Sequence, residues 1–154
     1  ALMKVSPENT QTEAAPDSSA TISIPDGLVG FPEYKSFELL YVPEQLPFIW
    51  LRLIGPDPLN FVVIEPGGLV PNYDVELFDE DAAFLGITGS ADAMVLNIVT
   101  VKPGVQASAT VNLLGPIVVN RRTRVAKQCV LANYGHYSAH YPLVDNSAAA
   151  GHQN

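Results

Sequence analysis

The chain is poor in bases, in cysteine and in long apolar runs. It has eight Lys or Arg against sixteen Asp or Glu in 154 residues. The imbalance is uneven. Residues 1–96 hold fifteen acids and three bases, a net −12, whereas residues 97–154 hold one acid, Asp145, and five bases, a net +4. A −12 portion repels phosphate backbones, which argues against general nucleic-acid binding. It attracts a basic protein and speeds that encounter at low salt. Cys129 is the single cysteine, so neither an intrachain disulfide nor a thiolate metal site can form. In the apolar run QCVLA it is expected to be a small core residue. No apolar run approaches the roughly 18 residues of a membrane helix. The first twenty residues lack the apolar centre of a secretory signal. These features together lead to the expectation of a soluble cytoplasmic protein.

Catalytic signatures are also missing. There is no Gly-x-Ser-x-Gly, phosphate loop or dinucleotide fingerprint. The sequence therefore argues for no enzyme, no catalytic residue and no cofactor. His136 and His140 are four apart, but NYGHYSAHYPL contains Gly, Ser and Pro and does not read as a helix, and no Glu or Cys accompanies them. They are read, with Tyr134, Tyr137 and Tyr141, as an aromatic segment closing the end of a barrel. Three consecutive acids at 79–81 cannot all converge on one ion, and the alternating acids of a calcium loop are absent. No metal site is expected.

What the chain does have is strand-forming runs between turn signals. Hydrophobic residues make up 47% of it, and thirteen prolines disfavour long helices. Residues 1–20 and 145–154 are rich in small and polar residues and read as flexible tails around one domain at 21–144. Inside it, strands are predicted at 21–24, 37–42, 48–54, 60–65, 94–101, 109–114, 117–120 and 128–131. Short strands at this spacing predict an all-β, mainly antiparallel, small β-barrel-like domain. One short helix is predicted after Asp79 as cap, with Glu80 and Asp81 at its positive end and Gly86 as stop. A second helical turn is predicted at Ser90.

Two charged segments stand out. The first, Asp74–Asp81 (DVELFDED), is either a docking surface for a basic partner or simply an acidic helix start. The second holds half of the chain's bases: Arg121, Arg122, Arg124 and Lys127. If Ile117–Val125 is one strand, Val118, Asn120, Arg122 and Arg124 share one face. Arg122 and Arg124 are then exposed, and Arg121 lies on the more apolar face and needs a carboxylate or carbonyls. These bases either pair with the domain's own acids, contact a partner, or form the site of a small nucleic-acid-binding barrel. No aromatic residue interleaves them to stack bases, which weakens the last reading.

Three stretches resemble the flagellar assembly factor FliW family: GLVGFPEYKSFELL (27–40), VPNYDVEL (70–77), and NLLGPIVVNRRTRVAKQCVL (112–131) followed by HYPL (140–143). The third is the most specific. Asn72, Gly115 and Ala126 stand where the family commonly has Asp, Ala and Gly. The resemblance implies a non-enzymatic regulator that binds the RNA-binding regulator CsrA, opposing its repression of flagellin translation, and that also binds flagellin. It implies no membrane and no direct nucleic-acid partner. The residues assigned to partner contact are Tyr73, Glu76, Asp79, Glu80, Asp81, Arg122 and Arg124, with Asn120 and Arg121 assigned structural roles.

Overall fold

A computed structural model describes residues 2–5, 21–103 and 108–143. In chain order the strands are β1 (Leu2–Val5), β2 (Ile22–Ser23), β3 (Ser36–Leu40), β4 (Ile49–Leu53), β5 (Leu59–Ile64), β6 (Val75–Phe78), β7 (Ala93–Lys102), β8 (Ser108–Val111), β9 (Ile117–Asn120), β10 (Val125–Gln128) and β11 (Tyr141–Pro142). Among the described residues there is one α-helix, α1 (Asp79–Leu85), directly after β6. The all-β expectation holds. Strands β7, β5, β4, β3, β2, β10 and β9 form a closed ring, because β9 pairs with both β10 and β7. Every pairing in the ring is antiparallel except β10 with β2, where Val125 faces Ser23. Ser23 N donates to Arg124 O at 2.9 Å across that seam.

Two apolar cores flank β7 and β9. Inside the barrel lie Phe37, Leu39, Ile49, Leu51, Met94, Leu96, Ile117 and Val119, among others. Outside it lies a second core, formed by Val95, Val99 and Val118 under Tyr73, Val75, Leu77, Leu85, Cys129 and Leu131. Period-2 alternation therefore sends neighbouring residues of β7 and β9 into different cores. This explains why both strands read as continuous apolar runs. The opposite wall is half-exposed, as alternation predicts: β4 alternates buried Ile49, Leu51 and Leu53 with exposed Trp50 and Arg52.

The predicted boundaries need four corrections. Residues 2–5 do not belong to a tail. β1 pairs antiparallel with β6, and Val5 is buried in the second core. The remaining residues of the two predicted tails lie outside the described residues. Ile117–Val125 is not one strand: it breaks after Asn120 into a four-residue turn, and Val125 returns as β10 opposite Asn120. The strand expected at 128–131 is accordingly displaced to Val125–Gln128. Asp79 is not the helix cap. Phe78 occupies that position without a side-chain bond, and Asp79, Glu80 and Asp81 fill the first turn, where the helix dipole favours acids. Gly86 does end the helix, in the left-handed conformation at φ 69°. The predicted turn at Ser90 is a 3-10 turn over Ser90–Asp92.

One glycine of the sequence signature has a strict steric reason. Gly27 sits at φ +69°, and a Cβ there would lie 2.5 Å from Phe31 O and 2.6 Å from Pro32 Cα. At Gly115 a Cβ would meet only ordinary contacts, the nearest being Gln128 Nε2 at 3.4 Å. Gly27→Ala should lower stability by about 3 kcal/mol. Gly115→Ala should leave it unchanged or raise it by up to about 1 kcal/mol. Urea unfolding of the two variants separates these outcomes.

Candidate protein-binding surface

The β6–α1 unit carries the acidic segment singled out from the sequence. Alternation along β6 buries Val75 and Leu77 and leaves Glu76 half-buried and Phe78 40% exposed. In α1, Ala82 and Leu85 face the core, while Asp79 and Glu80 are exposed and Phe84 is 47% exposed. The unit thus presents acids interspersed with two large apolar side chains. Asp81 differs from its neighbours. It is half-buried and accepts an ion pair from Lys127 Nζ at 3.2 Å. Burial pulls the Lys127 pKa down, but the hydrogen bond and charge of Asp81 outweigh this and leave it raised.

At the N-terminal end of β6 a shallow depression of about 340 Å³ is lined by Asn72, Asp74, Glu76, Asn133, His136 and Tyr137. Its floor is fixed by backbone bonds: Asp74 N donates to Tyr137 Oη at 2.7 Å, and Asn133 Nδ2 donates to Asp74 O at 2.9 Å. The aromatic segment containing His136 and Tyr137 therefore packs on the second core beside β6, not over an end of the barrel. Among the described residues no group of three or more His, Cys, Asp or Glu could hold a metal ion.

Tyr73, assigned from the sequence to partner contact, is a core residue instead. It is 4% exposed. Its hydroxyl donates to Leu113 O at 2.7 Å and accepts from Asn97 Nδ2 at 2.9 Å. Its ring meets Tyr137 edge-on at 5.0 Å. Burial raises its pKa; the Asn97 bond opposes this and Tyr137 adds to it.

The basic cluster is largely tied to its own domain. Arg122 Nε lies 3.5 Å from Asp92 Oδ1, with the Arg122 side chain 59% exposed. Arg121 Nε donates to Ala93 O at 3.3 Å. Arg121 and the buried Glu65 both act on the Tyr41 hydroxyl, which burial, then the Glu65 charge, pushes from 10.0 up to about 12, with Arg121 opposing. Arg124 is not on an exposed strand face. It is half-buried and takes the left-handed turn position at φ 60°. Asn120 holds the turn together. Its Oδ1 accepts from Arg122 N and Thr123 N, and its Nδ2 donates to Leu85 O and Gly86 O. One buried amide thus joins the β9–β10 turn to the end of α1. Sequence reasoning overlooked Glu65, Tyr41 and Asn97. Glu65 and Asn97 had a usable signal, since each is a polar residue in or ending a strand-like apolar run.

A family profile described as "FliW protein" matches residues 7–143. This chain belongs to the FliW family. The "Flagellar assembly factor FliW" of Natranaerobius thermophilus is 35% identical over 125 residues, covering 81% of this chain and 82% of that protein. That of Geobacillus kaustophilus is 40% identical over 114 residues, covering 74% and 78%. A solved structure titled "Crystal structure of the flagellar assembly factor FliW" superposes with TM-score 0.71 at 32% identity, covering 86% of this chain and 91% of that one. Among the described residues, no helix of this FliW chain is long and apolar enough to cross a membrane.

Removing the Asn120 amide leaves two amides and two carbonyls without their partner. Asn120→Ala should cost about 3 kcal/mol. Arg124→Gly, which relieves the left-handed strain, should leave stability unchanged or raise it by up to about 1 kcal/mol. Both are read from denaturant midpoints. A separate expectation concerns alkali. Burial, reinforced by Asp81 and opposed by Lys127, pushes the Cys129 thiol from 9.0 up to about 12. Cys129 and Tyr41 hold their protons more tightly folded than unfolded. Their stabilising contribution is complete below the unfolded values of 9.0 and 10.0 and is lost as pH rises to about 12. Urea midpoints should fall across that window, and Cys129 should resist thiol reagents until the chain unfolds.

Proposed function

We propose that this FliW-family chain is a non-enzymatic regulator of flagellum assembly that binds CsrA and, in alternation, flagellin. Binding to CsrA relieves repression of flagellin translation. Free flagellin occupies the regulator and leaves CsrA active. The observation that carries this reading is the family match over residues 7–143. Relatives bearing the name flagellar assembly factor cover most of this chain. The acidic β6–α1 unit supports it independently. Asp79 and Glu80 are exposed beside Phe78 and Phe84, a combination that suits a basic protein with an apolar patch. The alternative, a nucleic-acid-binding barrel using Arg121, Arg122, Arg124 and Lys127, is weakened by the internal bonds of Arg121, Arg122 and Lys127.

Calorimetric titration against purified CsrA and flagellin tests the proposal. The expected outcome is binding to each with a dissociation constant at or below the micromolar range, and no binding to either would overturn it. Glu76→Lys combined with Glu80→Lys should weaken CsrA binding about tenfold at low ionic strength and by less at high salt. Unchanged affinity at low salt would remove β6–α1 from the interface. Steeply salt-dependent RNA binding without CsrA would favour the alternative.

A further inference from the structure

Strand β1, like β6, β8 and β11, lies outside the seven-strand ring, and with β6 it forms a separate two-stranded sheet. The seven-strand ring closes without it. It pairs only with β6, over four residues, Leu2 opposite Phe78 through Val5 opposite Val75. Its other edge carries no strand among the described residues. The family match begins at residue 7, after β1 has ended. The edge of β6 that it covers belongs to the acidic unit just described, with Glu76 in the middle and Phe78 at the end.

We infer that β1 is an exchangeable strand: an extended segment of the partner protein, alternating apolar and basic residues, adds to the edge of β6 in its place. The register states the pattern such a segment needs. The positions opposite Val75 and Leu77, both buried, require apolar residues. The position opposite Glu76 favours a base, and β1 itself places Lys4 there. Strand addition supplies main-chain bonds for affinity and alternate side chains for specificity. Charge complementarity selects the occupant. Exposed Asp79 and Glu80 follow β6 without a break, so a basic segment approaching that edge is attracted and an acidic one repelled. An acidic protein that leaves a strand edge open invites pairing with other chains. β1 covers that edge until the partner arrives. The inference rests on the partner-binding reading above, and it names where and in what conformation the partner docks.

Two full-length variants test it. Val5→Asp places a charge at a buried β1 position and should release the strand. Leu2→Cys with Phe78→Cys creates a cross-strand pair at a spacing a disulfide can bridge, locking β1 when oxidised. The first probe is a fluorescent peptide of sequence ALMKVSPE, copying residues 1–8. It should bind the Val5→Asp protein about tenfold more tightly than the parent, since the covering strand no longer competes. It should bind the reduced double-cysteine protein and not the oxidised one. Equal binding to the oxidised and reduced forms, or no binding to either Val5→Asp or the reduced form, overturns the inference. That oxidised–reduced comparison uses one polypeptide and does not depend on how Val5→Asp folds. CsrA, titrated against the same proteins, should follow the same order. CsrA bound equally by oxidised and reduced forms overturns strand exchange and leaves the regulator reading standing. CsrA bound by no form, with the peptide result intact, supports exchange and overturns the CsrA part of the regulator reading.

Discussion

The fold depends on β7 serving two partners along one edge. Ala93–Leu96 pair with β9, and Val99–Lys102 pair with β8. The other edge, around Asn97–Val99, pairs with β5. The two partners part beside Asn97, whose Nδ2 donates both to Tyr73 Oη and to Asn112 O. Tyr73 then reaches Leu113 O, on the segment leading from β8 to β9. A buried amide and a buried phenol hold the fork open at the width the two strands require. Polar groups this deep persist because they bond to one another and to the backbone. Closure of the barrel by β9 and attachment of the β6–α1 layer both follow from that fork.

The second core is what separates the sequence reading from the structure. The positions of β2 to β5 and β7 to β9, the class and the helix stop at Gly86 were legible, because turn residues and apolar periodicity are local signals, whereas β1, β6 and β11 were not predicted and β10 was displaced. The faces of β9 were not. Parity assigned Val118 and Asn120 to the same side as the exposed arginines, a rule that assumes one dry face and one wet face. Here the outer face of β9 is covered by α1 and its neighbours, so Ile117 through Asn120 are all buried. Asn120 in turn draws the Arg122 and Thr123 amides into a tight turn, and the strand that parity would have continued ends there. Tyr73 was misjudged for a related reason. It lies between an acidic run and a Pro-Asn turn, and nothing local shows that Asn97 and Leu113 wait for its hydroxyl. β1 was missed because four residues, without the context of β6, carry too little pattern.

Charge in this chain is divided by task. Asp81 and Asp92 neutralise Lys127 and Arg122 within the domain. Glu80 and Asp79, one and two positions away from Asp81, are exposed. The difference is geometric: helical periodicity turns Asp81 toward β10 and its neighbours outward. The same short stretch therefore holds an acid paired within the domain and two exposed ones, and no aggregate charge count could have divided it.

The parallel seam between β2 and β10 has a consequence for synthesis. It joins Ser23 to Val125, about as far apart in sequence as two strands of the ring can be. On the ribosome, β2 and β3 emerge early with one flank uncovered, and β7 emerges lacking its β9 neighbour. Neither is relieved until residues 117–128 have left the exit tunnel. Until those residues emerge, the ring strands can form only an open sheet, since β9 and β10 close the barrel. A truncation that removes β9 and β10 would leave that open sheet as a permanent product, with apolar strands unpaired at both margins.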